Sequence, residues 1–255
     1  MLSSNVMHWD FALVLLFLGV AVPWLGRRRI RQLMAAPQTT KKDRLALYAS
    51  TCAFQWFAAA VILWRAGAHG ITISQLGVAI PNILIVAVTA IILAALVFAN
   101  QIFSLRKLAA RPAEIRGTIP QLALKIFPQD NQERLAFFAL VATVAICEEF
   151  IYRGFIQHVF EKWSGGYVVA GIVGSAVMFG MAHLYQGRRG LISTFAIGLI
   201  FSGIRFGTGS LVPALAAHFV ADLTAGFLAP RTILKSLESA AKGTSETAFT
   251  TRSAE

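Results

Sequence analysis

Charge is scarce in this chain. Asp, Glu, Lys and Arg make up 14% of its 255 residues, where a soluble domain carries about a quarter. Hydrophobic residues make up 56%, and the mean hydropathy is +0.65. That balance excludes a soluble globular domain. Acid is the scarcer sign: 12 Asp and Glu stand against 23 Lys and Arg, for a net charge of +11. Such an excess would suit nucleic acid, but the basic residues lie between the apolar runs. That is how loops beside an anionic leaflet are built, so membrane lipids are expected as partners and nucleic acid is not. Cysteine is nearly absent. Cys52 and Cys147 both sit inside apolar runs, which argues against a disulfide framework or a cysteine-based metal motif. No cleavable signal peptide is expected, because residues 1–10 are not basic and no small-residue cleavage site follows.

What the chain has is long apolar runs. Seven are near the ~20 residues needed to cross the hydrocarbon core: 9–25, 45–64, 78–103, 135–159, 167–185, 191–206 and 211–228. The expected fold is therefore all-α, a polytopic membrane bundle of about seven helices. An eighth span, or a half-span within 115–127, is the alternative. Three regions follow: 1–133 with three spans and basic loops, 134–228 with the later spans, and 229–255 as a polar, disordered tail. Loops holding Arg27 to Arg44, Arg106 to Arg134 and Arg188–Arg189 fall on one side and the opposite loops are poor in Lys and Arg. The positive-inside rule then puts the N-terminus outside and the C-terminus in the cytoplasm of a plasma (inner) membrane. The later spans are rich in Gly and Ala, which let membrane helices approach closely. The first three read as a more lipid-facing annex.

The costliest stretch is Ala145-Ile-Cys-Glu-Glu-Phe-Ile-Tyr-Arg-Gly154. Each charge at the centre of a membrane helix costs about 2.5–3.5 kcal/mol, and each Leu, Ile, Val or Phe returns roughly 0.3–0.6 kcal/mol. Two adjacent carboxylates therefore leave this helix about at break-even, so their face must turn into the bundle. Glu149 and Arg153 are four apart, acid first, the favoured ion-pair spacing. Glu148 points about 100° away, on the face of Tyr152. Later spans add Phe179-x-x-x-His183 and His218-x-x-x-Asp222, each pair sharing a helix face. A carboxylate in an apolar site beside imidazoles can take a proton from water. The same Glu148, His183 and His218 can instead hold a divalent metal such as zinc, whose bound water is acidic. The residues alone leave these two open, and the expected cofactor is one such metal or none. His158 reads as a hydrogen-bonded core residue, and Arg205 as a residue snorkelling from a span end.

In order and on successive spans, Glu148-Glu149-x-x-x-Arg153, Phe179-x-x-x-His183 and His218-x-x-x-Asp222 resemble the three motifs of the CPBP family. These are the CAAX-protease and bacteriocin-processing (Abi) membrane proteins, among them the Ras-converting CAAX endoprotease. The resemblance covers roughly 136–227, and Ile73-Ser-Gln-Leu-Gly77 is similar to a segment many members carry ahead of the core. It implies an intramembrane endopeptidase, a hydrolase acting on a peptide or membrane-protein substrate. Glu148 would activate water with help from His183, and His218 with its i+4 neighbour would stabilise the oxyanion or orient the site. The family often has Asn where this chain has Asp222. A carboxylate donates no hydrogen bond unless protonated, so Asp222 would instead orient His218 or ligate a metal. The resemblance does not imply a prenylated substrate. The rival readings are a non-catalytic peptide-binding or bacteriocin-immunity protein of the same fold and a proton-coupled transporter; the latter predicts inverted repeats, which the sequence lacks. One tension is visible: Glu148 lies deep in its span and His183 near the end of another. For them to meet, either the start of the fourth span, near 134–138, must extend into the cytoplasm or the fifth span must sit deeper, and the first is expected.

Overall fold

A computed structural model describes residues 8–110 and 118–252, with side chains at 8–110 and 120–236. Every element among them is helical. Helix α1 spans Trp9–Ala35 and α2 spans Lys41–Ala68. Helix α3 spans Ile83–Ala109, and the short α4 spans Thr118–Ile126. Helix α5 spans Asn131–Trp163, α6 spans Val168–Ala182, α7 spans Gly187–Thr208 and α8 spans Val212–Arg252. Local chemistry sets the starts. Thr40 and Asp43 form a capping box at α2, and Asn82 accepts from the amides of Leu84 and Ile85 at α3. Asp130 caps α5 by accepting from the Glu133 amide, and Lys41, 2.7 Å away, holds the Asp130 carboxyl below its ordinary range.

Six helices among the described residues are long and apolar enough to cross a membrane, and α6 is a shorter apolar one. The protein is thus a multi-pass membrane protein. Its outer faces agree: Leu84, Ile91 and Leu96 of α3 stand 62–70% exposed, a surface for lipid tails rather than water. The nine-residue α4 is too short for an eighth span, and residues 111–117 of that stretch lie outside the described residues.

Helices α5 and α6 settle how Glu148 and His183 come together. At 1.5 Å per residue the 33-residue α5 is roughly 50 Å long, against a hydrocarbon core of about 30 Å, so it projects beyond that layer or crosses it tilted. The 15-residue α6 is only about 22 Å long. The fifth span, expected over 167–185, is a helix only to Ala182. His183 leaves helical geometry at φ −99°, ψ 15°, and a 3₁₀ turn over Leu184–Gln186 follows. With α6 ending at Ala182, His183 lies on the same cavity as Glu148.

Close backbone approach holds α6 against α5. A Cβ on Gly171 would stand 2.7 Å from the Gln157 carbonyl oxygen and 3.2 Å from the Glu161 Cβ, so only glycine fits without parting the helices. Gly171→Ala is expected to destabilise the protein by about 1–3 kcal/mol, read as a lower midpoint of thermal unfolding in detergent. Loss of cleavage should accompany it, since α6 carries Phe179 and His183.

Two expectations need correction. Arg205 does not snorkel: it is 9% exposed, and its Nη2 donates to the Gln75 carbonyl at 2.5 Å. The loop that carries Gln75 has folded into the bundle, with Leu76 fully buried, so Arg205 finds a backbone acceptor nearer than the membrane surface. The chain after Leu228 continues as helix to Arg252 rather than as a disordered tail. Ala229 and Ile233 are buried with Ala123 of α4, and that burial offsets the ordering cost of these first turns. The early spans agree with a more lipid-facing role, α2 and α3 being the least buried of the long helices, but α1 and α2 are also tied to the rest of the bundle. Arg44 of α2 and Glu133 of α5 form an ion pair at 2.8 Å, at 4% and 0% exposure. Lys125 of α4 donates to the carbonyls of Leu33, Met34 and Ala36 at the end of α1.

Candidate active site

Two polar groupings flank α5, and they divide the residues singled out in the sequence. The first is a buried network. From Glu149 to Ile156, α5 loosens into a π-helical segment, a departure that recurs at functional sites. Glu149 is fully buried there; its Oε1 accepts from Arg153 Nη1 at 3.0 Å and lies 2.7 Å from His218 Nδ1 on α8. The Arg153 guanidinium, also fully buried, lies 4.0 Å from the ring centre of Phe179 and 5.3 Å from that of Phe201, where the ring faces attract it. Beyond His218, its Nε2 lies 3.6 Å from Asp222 Oδ2, an ion-pair distance longer than a hydrogen bond. The Ser175 hydroxyl of α6 donates to the Tyr152 carbonyl at 2.7 Å, tying the π segment to α6.

The second grouping lines a cavity of about 340 Å³ between α1, α2, α5 and the end of α6. Glu148 and Tyr152 face it from α5, His183 and Tyr185 from the end of α6 and the turn beyond, Gln55 from α2 and Arg29 from α1. Gln55 Nε2 donates to Glu148 Oε1 at 2.9 Å, and Glu148 Oε2 is buried without a protein partner. His183 Nδ1 lies 2.8 Å from the Phe179 carbonyl. A carbonyl only accepts, so Nδ1 carries a proton, and in the neutral imidazole Nε2 is then the lone-pair nitrogen. Glu148 and His183 therefore line one cavity, and a carboxylate and a neutral imidazole placed together can hold and deprotonate a water.

The structure thus brings Glu148 together with His183, and Glu149 together with Arg153, His218 and Asp222. It does not bring His218 to Glu148: Glu149 engages the imidazole first, and neither His218 nor Asp222 lines the cavity. Phe179 sits between the groupings, its ring centre 4.6 Å from that of His183 and 6.2 Å from that of His218. The divalent-metal set of His183, His218 and Glu148 is not assembled, and among the described residues no group of three or more His, Cys, Asp or Glu can hold a metal ion. No step through a metal is derived from these residues. His158 is 7% exposed, a core residue as its sequence suggested. Both cysteines are free.

Sequence reasoning missed Gln55 and Tyr185. Gln55 was detectable in principle as one amide inside the apolar run Ala53-Phe-Gln-Trp-Phe57, since a polar side chain in a span seeks a partner on another helix. Tyr185 follows His183 by two residues, beyond the helix, and had no periodic signal.

Comparison with known proteins agrees with the geometry. No curated protein and no solved structure matches the chain. A family model does match, over less than half the chain: Rce1-like, the type II CAAX prenyl endopeptidase Rce1-like family, at residues 130–224. That segment opens at the cap of α5 and closes two residues after Asp222. It contains Glu148, Glu149, Arg153, His183 and His218, and over it the chain is similar to that family.

Proposed function

We propose that this protein is an intramembrane endopeptidase that hydrolyses a peptide bond of a membrane-associated or C-terminal peptide by general-base activation of water. The observation that carries this reading is that Glu148 and His183 line one cavity inside the helical bundle. Glu148 takes the proton of the attacking water through Oε2, the oxygen that Gln55 leaves unengaged. His183 Nε2 accepts the second hydrogen of that water and orients it toward the carbonyl carbon. As the tetrahedral intermediate collapses, the proton held on Glu148 passes to the leaving amine, which regenerates the carboxylate. Tyr152 and Tyr185, which also line the cavity, are the hydroxyl donors available there to the developing oxyanion. Glu149, Arg153, His218 and Asp222 act behind the cavity: they hold the π segment, and with it the direction of Glu148. This assigns His218 and Asp222 a supporting role rather than direct contact with the oxyanion.

The basic loops support an orientation with the N-terminus outside and the cavity near the cytoplasmic face of a plasma (inner) membrane. Arg29, in the run Arg27-Arg28-Arg29, lines the cavity on that side.

The test is cleavage in proteoliposomes. Purified protein is reconstituted, incubated with a proteome-derived peptide library and chelator, and new termini are read by mass spectrometry. New termini with wild type and none with Glu148→Gln are expected. Equal termini in both would reject the proposed base. Cleavage abolished by chelator and restored by zinc would reject the metal-free mechanism. A non-catalytic peptide-binding protein of the same fold would give no new termini with either.

A further inference from the structure

We propose that Gln55, on α2 and outside the segment that matches the family, is the positioning residue for Glu148. The inference rests on the general-base reading above and extends the site into the N-terminal half of the chain.

Glu148 begins where α5 passes into its π segment, and its side chain needs something to fix which oxygen faces the reactants. The described contacts offer one hydrogen bond: Gln55 Nε2 to Oε1 at 2.9 Å. An amide nitrogen has no acceptor lone pair and a carboxylate no proton, so the direction of this bond is set by chemistry. It occupies Oε1 and leaves Oε2 as the base. The other charged or titratable groups around Glu148 point elsewhere or lack a bond to it. Glu149 and Arg153 are bonded to one another and to His218. His183 spends Nδ1 on Phe179, Arg29 donates to Ser50, and the Tyr185 hydroxyl accepts from Gln186.

Helix α2 is well placed to serve as a rigid mount. Two further side-chain contacts tie it to α5: Arg44 to Glu133 at 2.8 Å, and Trp56 Nε1 to the Thr143 hydroxyl at 3.2 Å. The Gln55 contact lies along the same seam, on the turn that Trp56 anchors. Residues on regular elements braced by such contacts hold a partner more tightly than loop residues do. The active site is then incomplete without α2.

The experiment reads Glu148 directly, without a substrate. Infrared spectra of labelled protein identify the carboxylate band that is lost in Glu148→Gln. In Gln55→Leu, and in the similarly sized Gln55→Met, that band is expected to move to the frequency of a carboxylate without the amide hydrogen bond. Cys52→Ala, one turn away on α2, should leave it in place. Both Gln55 variants should retain the wild-type unfolding midpoint within a few degrees. Where the library assay yields a cleaved peptide, kcat should fall roughly 10- to 100-fold with little change in KM. That is less than the 10²–10⁴-fold contribution of the base itself. An unmoved band in both folded variants would overturn the proposal whatever the fate of the peptidase reading. A moved band beside a fully active Glu148→Gln would reject Glu148 as the general base and keep the contact. A kcat loss with an unmoved band would also overturn it, by showing that Gln55 acts on something other than Glu148.

Discussion

Glu148→Gln is expected to lower the rate of peptide cleavage by about 10²–10⁴-fold, the usual contribution of a general base, while leaving the fold intact. The substitution removes the basic oxygen and keeps nearly the same shape. Stability should change little, because Glu148 is only half-buried and its hydrogen bond runs to a neutral amide that can also bond a glutamine carbonyl. Near-wild-type thermal unfolding beside collapsed kcat is therefore the expected signature. It separates Glu148 from its neighbour in the chain: Glu149→Gln disturbs a buried ion-pair network and should lower the unfolding midpoint.

Arg153→Leu is expected to destabilise the protein by about 3–5 kcal/mol, the range for stranding one partner of a buried ion pair. Arg153 and Glu149 are both fully buried, and removing the guanidinium leaves Glu149 with His218 as its remaining side-chain partner. The loss includes the contacts of the guanidinium with the Phe179 and Phe201 rings. A double variant, Glu149→Leu with Arg153→Leu, should recover much of the stability, because neither charge then needs a partner. Activity should not return with it, since His218 loses its hydrogen-bond partner and the π segment loses its tie to α8. Denaturant or thermal unfolding of the two singles and the double gives the coupling. Additive losses would contradict a direct Glu149–Arg153 interaction.

The parts of this site that are legible in sequence are those where membrane physics makes a residue conspicuous. Two carboxylates in an apolar run are expensive enough to demand an explanation, and the i, i+4 spacing of Glu149 and Arg153 supplies half of it. His183 and His218 stand out for the same reason. What the sequence leaves hidden depends on where helices stop and what lies beside them. The depth of His183 follows from α6 ending at Ala182, which hydropathy cannot see because Leu184 and Tyr185 continue the apolar run. The partner of His218 is Glu149 rather than Glu148 because of how α8 meets the π segment, and a regular 3.6-residue helix gives no warning of that segment. Gln55 looked like part of an ordinary span and Arg29 like part of a basic loop. Their place on the cavity is a matter of tertiary packing, as is the inward turn of Arg205 toward a folded-in loop.

The measurement that bears most directly on the central claim is the kcat of Glu148→Gln, His183→Ala and the combined variant on one cleaved peptide. Residues that act as a unit on a single step are strongly non-additive. A shared site predicts that each single variant loses at least about 10²-fold and that the double is no slower than the worse single. Independent losses that multiply in the double, or near-wild-type turnover in either single, would contradict a common Glu148–His183 hydrolytic site.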